Sequence, residues 1–271
     1  MSKYKIGCCI PGGSFMPEGV GEVDTSTYGI LKSGYELALK RGFDFAEATV
    51  WLIMKLTDEE FEKAVNDGLQ FKVFNSFIPG SMPIVSTPME QLRDHVEKSM
   101  YRMSKFGAEG VIFGSGAARR LEVSGNNTSG DTAKLYEFIR MCCEVAEKYG
   151  MYFALEPLNK KETNWLTSVA EGYEVCKELN LPNLKLLADA YHMFLEYEAA
   201  NVLSAVQDYL VHVHVSDGNR KYPGLDGGAY MRYFSYELSR TNYTGRVSAE
   251  CGYSDFYRES EAVYEFMNEV F

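Results

Sequence analysis

The sequence predicts an α/β protein, a single (β/α)8 TIM barrel forming one domain over residues 1–271. Three observations predict it. Eight short apolar runs alternate with longer segments of helical periodicity, the pattern of strand–helix units repeated around a parallel sheet. No linker or low-complexity tract divides the chain, and its 271 residues are close to the roughly 250 that such a barrel takes as one domain. Four isolated polar residues, Glu156, Asp189, His214 and Glu250, each sit at the end of an apolar run. In a parallel barrel the C-terminal strand ends converge on one mouth, so residues far apart in sequence meet there.

The first strand is expected over residues 4–10, stopped by Pro11, Gly12 and Gly13 before a signal-peptide core could form. Gly42 ends a helix, and the second strand follows at 43–46 with Glu47 at its end. Thr57, followed by Asp58, Glu59 and Glu60, caps a helix over 57–69, where acids favour the positive end of the helix dipole. The third strand falls at 71–74. The uncharged stretch after it carries Pro79, Pro83 and Pro88, so it cannot form the apolar helix of ~20 residues that crosses a bilayer. A helix is expected over 88–106 and the fourth strand over 110–113. Gly114, Ser115 and Gly116 then make a tight turn or, with Arg119 and Arg120, a phosphate cradle; the turn is favoured. Asp131 caps a helix over 131–149 that Gly150 terminates. Strands five to eight fall at 151–155, 184–188, 210–215 and 246–249, and Ser254 caps the last helix, 254–270.

With 27 basic and 38 acidic residues the net charge is −11, which repels nucleic-acid phosphates and disfavours that partner class. Six cysteines without C-x-x-C spacing read as reduced thiols of a cytoplasmic enzyme with no membrane segment.

Carboxylates and imidazole supply oxygen and nitrogen donors that suit Mn²⁺, Mg²⁺, Co²⁺ or Zn²⁺. Any one of the four polar residues could instead be a helix cap or a satisfied loop carboxylate. Four metal-compatible types at four successive strand ends are harder to explain that way. Glu156 precedes Pro157, which stops its strand. His212 and His214 share one strand face, so one can be a ligand and the other a packed histidine. Glu47 either binds substrate, holds a neighbouring group or is structural. His95, in a charged helical stretch, reads as a surface histidine. Trp51, Phe15 and Trp165 are pocket walls or core, and the loops at Gly12 to Phe15 and 77–88 are expected to shape the pocket.

Three segments carry a resemblance: Glu156-Pro157-Leu158-Asn159 with Glu162-Thr163-Asn164, Asp189-Ala190-Tyr191-His192-Met193, and His212-Val213-His214 running on to Asn219-Arg220 and Pro223-Gly224. Together with Glu250 they resemble the sugar phosphate isomerase/epimerase family built on the xylose isomerase-like barrel. Within it they are most similar to ketose 3-epimerases of the D-tagatose and D-psicose type. The first 40 residues match only in pattern. The resemblance implies one divalent ion, Mn²⁺ favoured, held by Glu156, Asp189, His214 and Glu250, with the spacing to Arg220 selecting His214 over His212. It implies that Glu156 and Glu250 move the proton, that Glu162, His192 and Arg220 contact substrate, and that the substrate is a sugar or sugar phosphate. A homo-oligomer, dimer or tetramer, is also implied. Competing readings are an aldose–ketose or hydroxypyruvate-type isomerase on the same site, an endonuclease IV-like metal hydrolase disfavoured by the acidic charge, and a non-catalytic sugar-binding barrel.

Overall fold

A computed structural model describes residues 3–12, 26–122 and 128–271. Eight parallel strands form a closed barrel in sequence order: β1 (Lys5–Cys9), β2 (Phe45–Thr49), β3 (Val73–Asn75), β4 (Gly110–Phe113), β5 (Tyr152–Leu155), β6 (Leu184–Asp189), β7 (Leu210–Val215) and β8 (Arg246–Ala249), which pairs back onto β1. Among the helices outside it are α1 (Thr27–Arg41), α2 (Val50–Lys55), α3 (Asp58–Asn66), α4 (Met89–Lys105), α5 (Thr128–Glu147), α6 (Val169–Leu179), α7 (Ala190–Leu195), α8 (Leu203–Val206), α9 (Ala229–Ser239) and α10 (Phe256–Val270). Among the described residues no helix is long and apolar enough to cross a membrane.

Local chemistry places most boundaries where the sequence does. Thr57 and Glu60 form a reciprocal capping box at the start of α3. Gly42 and Gly150 take positive φ, +104° and +68°, after α1 and α5. Three expectations shift. The second strand runs to Thr49 rather than 46, because Thr49 itself caps α2, so Glu47 is an interior strand residue. Asp131 lies inside α5 rather than before it, its carboxylate accepting from the Glu122 backbone amide. Asp255, not Ser254, caps α10.

Because strand side chains alternate between faces, the residue two before each mouth residue lies one layer deeper in the barrel. Val73, Ile112, Ala154 and Leu187 form such a layer, packed as their own small buried cluster beneath Asn75, Gly114, Glu156 and Asp189. On the far side His212 and Ser248, both fully buried, lie beneath His214 and Glu250. The main core fills the space between strands and helices. A packed floor therefore closes the barrel under a polar mouth.

Candidate metal centre

Glu156 follows β5 directly, Asp189 ends β6, His214 is the penultimate residue of β7 and Glu250 follows β8 directly. All four are buried, and one donor atom from each lies within 4.8 Å of the others. The register explains part of this convergence. A shift between Leu186 and Leu187 moves the pairing from Leu186 with Leu210 to Leu187 with His212, so that Asp189 pairs with His214. Unbroken pairing would set Asp189 beside Val213, whose side chain points the other way. Asp189 also accepts from the Tyr191 amide at 2.7 Å and so caps α7: the helix-cap reading and the ligand reading describe one carboxylate with two oxygens.

The electrostatics are those of like charges forced together. Burial, reinforced by Glu250, pushes the Glu156 carboxyl up to about 7 despite a 3.2 Å contact with Nδ1 of His214. Burial acts on Glu250 in the same sense, but His214 and Arg220 outweigh it and hold that carboxyl below its usual range. Arg220 donates to Asp189 at 2.6 Å and also to Glu250, and with His192 and His214 it keeps Asp189 down near 2 against burial. Burial opposes a charge on His214 as well, yet Glu250, Glu47 and Glu156 raise it well above the imidazole norm.

Behind His214 stands a second buried group. Glu47, fully buried, receives Nε2 of His214 at 2.9 Å and Nε2 of His212 at 3.0 Å. Burial alone would raise the Glu47 carboxyl; the two imidazoles hold it well below the carboxylate range. Glu47 thus bonds both imidazoles, and Glu47, His212 and His214 form a second buried group of donors within 4.8 Å of one another.

His192, Glu162 and Arg220 lie around the same mouth and line one cavity with Glu156 and Glu250. His192 Nδ1 accepts from the Asn159 amide at 3.1 Å, and the Asn159 side chain reaches Glu162 at 2.8 Å. Asn75, at the end of β3, donates to Glu250 at 3.0 Å and to Cys9 at 3.3 Å. The sequence expectations do not include it, although a polar residue closing an apolar strand is the same signal that marks the other four.

Other expectations are corrected. Of the two arginines offered for a phosphate cradle, Arg119 is fully buried and donates to the carbonyls of Phe113 at 2.9 Å and Glu156 at 2.7 Å, and Arg120 donates to that of Lys161. The glycine turn is what remains. Gly114 is small because a Cβ there would stand 2.2 Å from Glu156 Oε2. His95 is half-buried rather than superficial, donates to the Phe77 carbonyl at 3.1 Å and lines the cavity. Trp51 and the loop residues Phe77 to Gly80 also line it, whereas Trp165 borders a separate groove. Gly13, Ser14 and Phe15 lie outside the described residues.

Three carboxylates and one imidazole in reach of one point, with one carboxyl pushed to about 7 by burial and the neighbouring Glu250, form a donor set that fits a divalent ion. The second buried layer fits too, since a metal-binding imidazole commonly donates its other nitrogen to a carboxylate.

The xylose isomerase-like TIM barrel family model matches residues 35–268, and the chain belongs to that family. It is 33% identical over 122 residues to a D-psicose 3-epimerase of Ruminiclostridium cellulolyticum, covering 45% of this chain and 41% of that protein. It is 27% identical over 161 residues to a 3-dehydro-D-guloside 4-epimerase of Escherichia coli, covering 57% and 61%. The chain thus spans less than two thirds of the length of either relative. Among solved structures, a D-psicose 3-epimerase from Clostridium cellulolyticum H10 with D-tagatose superposes at TM-score 0.79 with 20% identity, over 98% of this chain and 99% of that one. A 3-keto-D-glucoside 4-epimerase from E. coli superposes at 0.73 with 24% identity, over 97% and 99%.

Proposed function

We propose that this protein is a divalent-metal-dependent sugar epimerase, in the first instance a ketose 3-epimerase. The observation that carries the reading is the convergence of Glu156, Asp189, His214 and Glu250 at one buried point, with two of the carboxylates free of helix-capping duty. A divalent ion held there would polarise a sugar carbonyl and acidify the hydrogen on the neighbouring carbon. Glu156 and Glu250 take the proton from one face of that carbon and return one to the other, inverting it. Arg220, His192 and Glu162 orient the sugar's oxygens. The divergent environments of the two glutamates support this division, because opposite shifts let one carboxyl hold a proton while the other is ionised.

Relatives acting on D-psicose and L-ribulose support a ketose substrate. A second reading, a keto-glycoside epimerised beside a ring ketone, is favoured by the longer match to the E. coli guloside 4-epimerase. Both reactions begin with the same proton abstraction. Incubation of Mn²⁺-loaded protein with ketoses and ring-ketone glycosides in heavy water should place deuterium on the carbon next to the carbonyl. No deuterium in any sugar would refute a proton-transfer role.

A further inference from the structure

The mouth opens into a cavity of about 630 Å³ whose two ends differ in chemistry. Glu156, Glu250, His192, Arg220 and Glu162 line one end. At the roughly 30 Å³ that each water occupies in the liquid, the heavy atoms of one hexose fill little more than half of the cavity. Toward β2 and β3 the cavity is walled, among the described residues, by Trp51 and Met54 from α2 and Ile78 and Pro79 from the loop after β3, with Lys55 and Ser76 beside them.

Two of the polar side chains that line the cavity there are engaged within the protein. Ser115 Oγ accepts from the Ile78 amide at 2.9 Å, and His95 Nε2 donates to the Phe77 carbonyl. The Lys55 ammonium is exposed and stands 5.5 Å from the centroid of the Trp51 ring. Trp51 itself is 40% exposed and lines the cavity, so it presents apolar ring surface there. A hydroxyl-rich group laid against those four apolar side chains would exchange water for a surface almost without donors, at a cost of about 1–3 kcal/mol for each hydroxyl left unpaired.

We infer that the substrate is a sugar bearing an apolar, preferably aromatic, substituent, which lies on Trp51, Met54, Ile78 and Pro79 while the sugar occupies the polar end. The inference rests on the proposed epimerase reading and, within it, selects the second substrate class, a keto-glycoside, over a free ketose. A substituent on the anomeric carbon of a ketose would mask the carbonyl that the reaction needs. A glycoside with its ketone at another ring carbon keeps both, so the substrate class is a keto-glycoside with an apolar aglycone.

The test is calorimetric binding to Mn²⁺-loaded protein of methyl and phenyl 3-keto-glucopyranosides, D-psicose and a ketose phosphate, with the Trp51→Ala, Ile78→Ala and Lys55→Ala variants. The phenyl glycoside is expected to bind roughly 10- to 100-fold more tightly than the methyl glycoside, and that ratio should fall to about one to three in Trp51→Ala and Ile78→Ala. Equal affinities for the two glycosides, or a ratio that both variants leave intact, overturn the inference. So does a ketose phosphate that binds more tightly than the phenyl glycoside and loses its advantage in Lys55→Ala, since that outcome makes the distal end an anion site. Deuterium entry into the methyl glycoside or D-psicose, read in parallel, separates the cases: entry without a phenyl preference refutes only the subsite, and no entry into any sugar refutes the epimerase reading itself.

Discussion

Glu47 receives Nε2 of His214 at 2.9 Å, which leaves Nδ1 of that ring facing Glu156 at 3.2 Å and Glu250 at 3.3 Å. A carboxylate can only accept, so Nε2 keeps its proton against Glu47, and the proton a cation would displace is the one on Nδ1, which faces Glu156 and Glu250. The same carboxylate receives His212, so the inner layer of β7 is pinned to β2 across the barrel. Glu47→Gln keeps the size of the side chain but removes its charge, and the amide can donate as well as accept. Isothermal titration should show divalent-metal affinity reduced roughly 10- to 100-fold, with Glu47→Asp intermediate. Unchanged affinity in the Gln variant would assign Glu47 to packing alone.

Metal binding should be proton-linked. Burial and the neighbouring Glu250 push Glu156 up to about 7, so in the metal-free protein it holds a proton below that pH. His214 is raised as well and carries a proton that Nδ1 must release to a cation. Since the folded-state value of Glu156 exceeds an unfolded value of about 4.3, this group costs the metal-free protein stability as pH climbs from there toward 7. Mn²⁺ at ~100 times its Kd should stabilise by about 2.7 kcal/mol. The resulting rise in Tm should be larger at pH 8 than at pH 6, and calorimetry in two buffers should register proton release. An equal rise at both pH values would contradict this linkage.

Gly114 leaves the space that Glu156 fills. A methyl group there would meet Oε2 at 2.2 Å, so Gly114→Ala must displace the carboxylate or the β4 end. The expected result is weaker metal binding together with a loss of stability of roughly 1–3 kcal/mol from overpacking, measured by titration and urea unfolding.

Arg119 is a strut rather than an anion receptor. Its guanidinium joins the Phe113 and Glu156 carbonyls from full burial, and desolvation lowers its pKa to about 10. Arg119→Met leaves those buried carbonyls without that donor and should cost about 2–4 kcal/mol in urea unfolding. Arg119→Lys, which lacks the rigid planar fork that holds two acceptors in place, should recover only part of the loss. A Met variant as stable as the parent would remove this role.

The barrel was legible because its signals are local and repeated: apolar runs, caps such as Thr57, and glycines at helix ends. The mouth was legible because a carboxylate closing an apolar run is costly to bury without a cation or strong donors, and Glu156 and Glu250 stand out for that reason. What escaped depends on relations between distant strands. Nothing near Glu47 in sequence announces two histidines more than 160 residues away. The shift that sets Asp189 beside His214 is a property of pairing rather than of composition. Arg119 reads as an exposed cation in any local window, and only the β4 and β5 carbonyls that meet it explain its burial.

The most direct test of the metal centre is anomalous diffraction from crystals grown with Mn²⁺. One strong peak is expected, bounded by Glu156, Asp189, Nδ1 of His214 and Glu250, with Glu47 on the opposite side of the imidazole. A peak seated instead among Glu47, His212 and His214, or no peak at the mouth at saturating Mn²⁺, would contradict it.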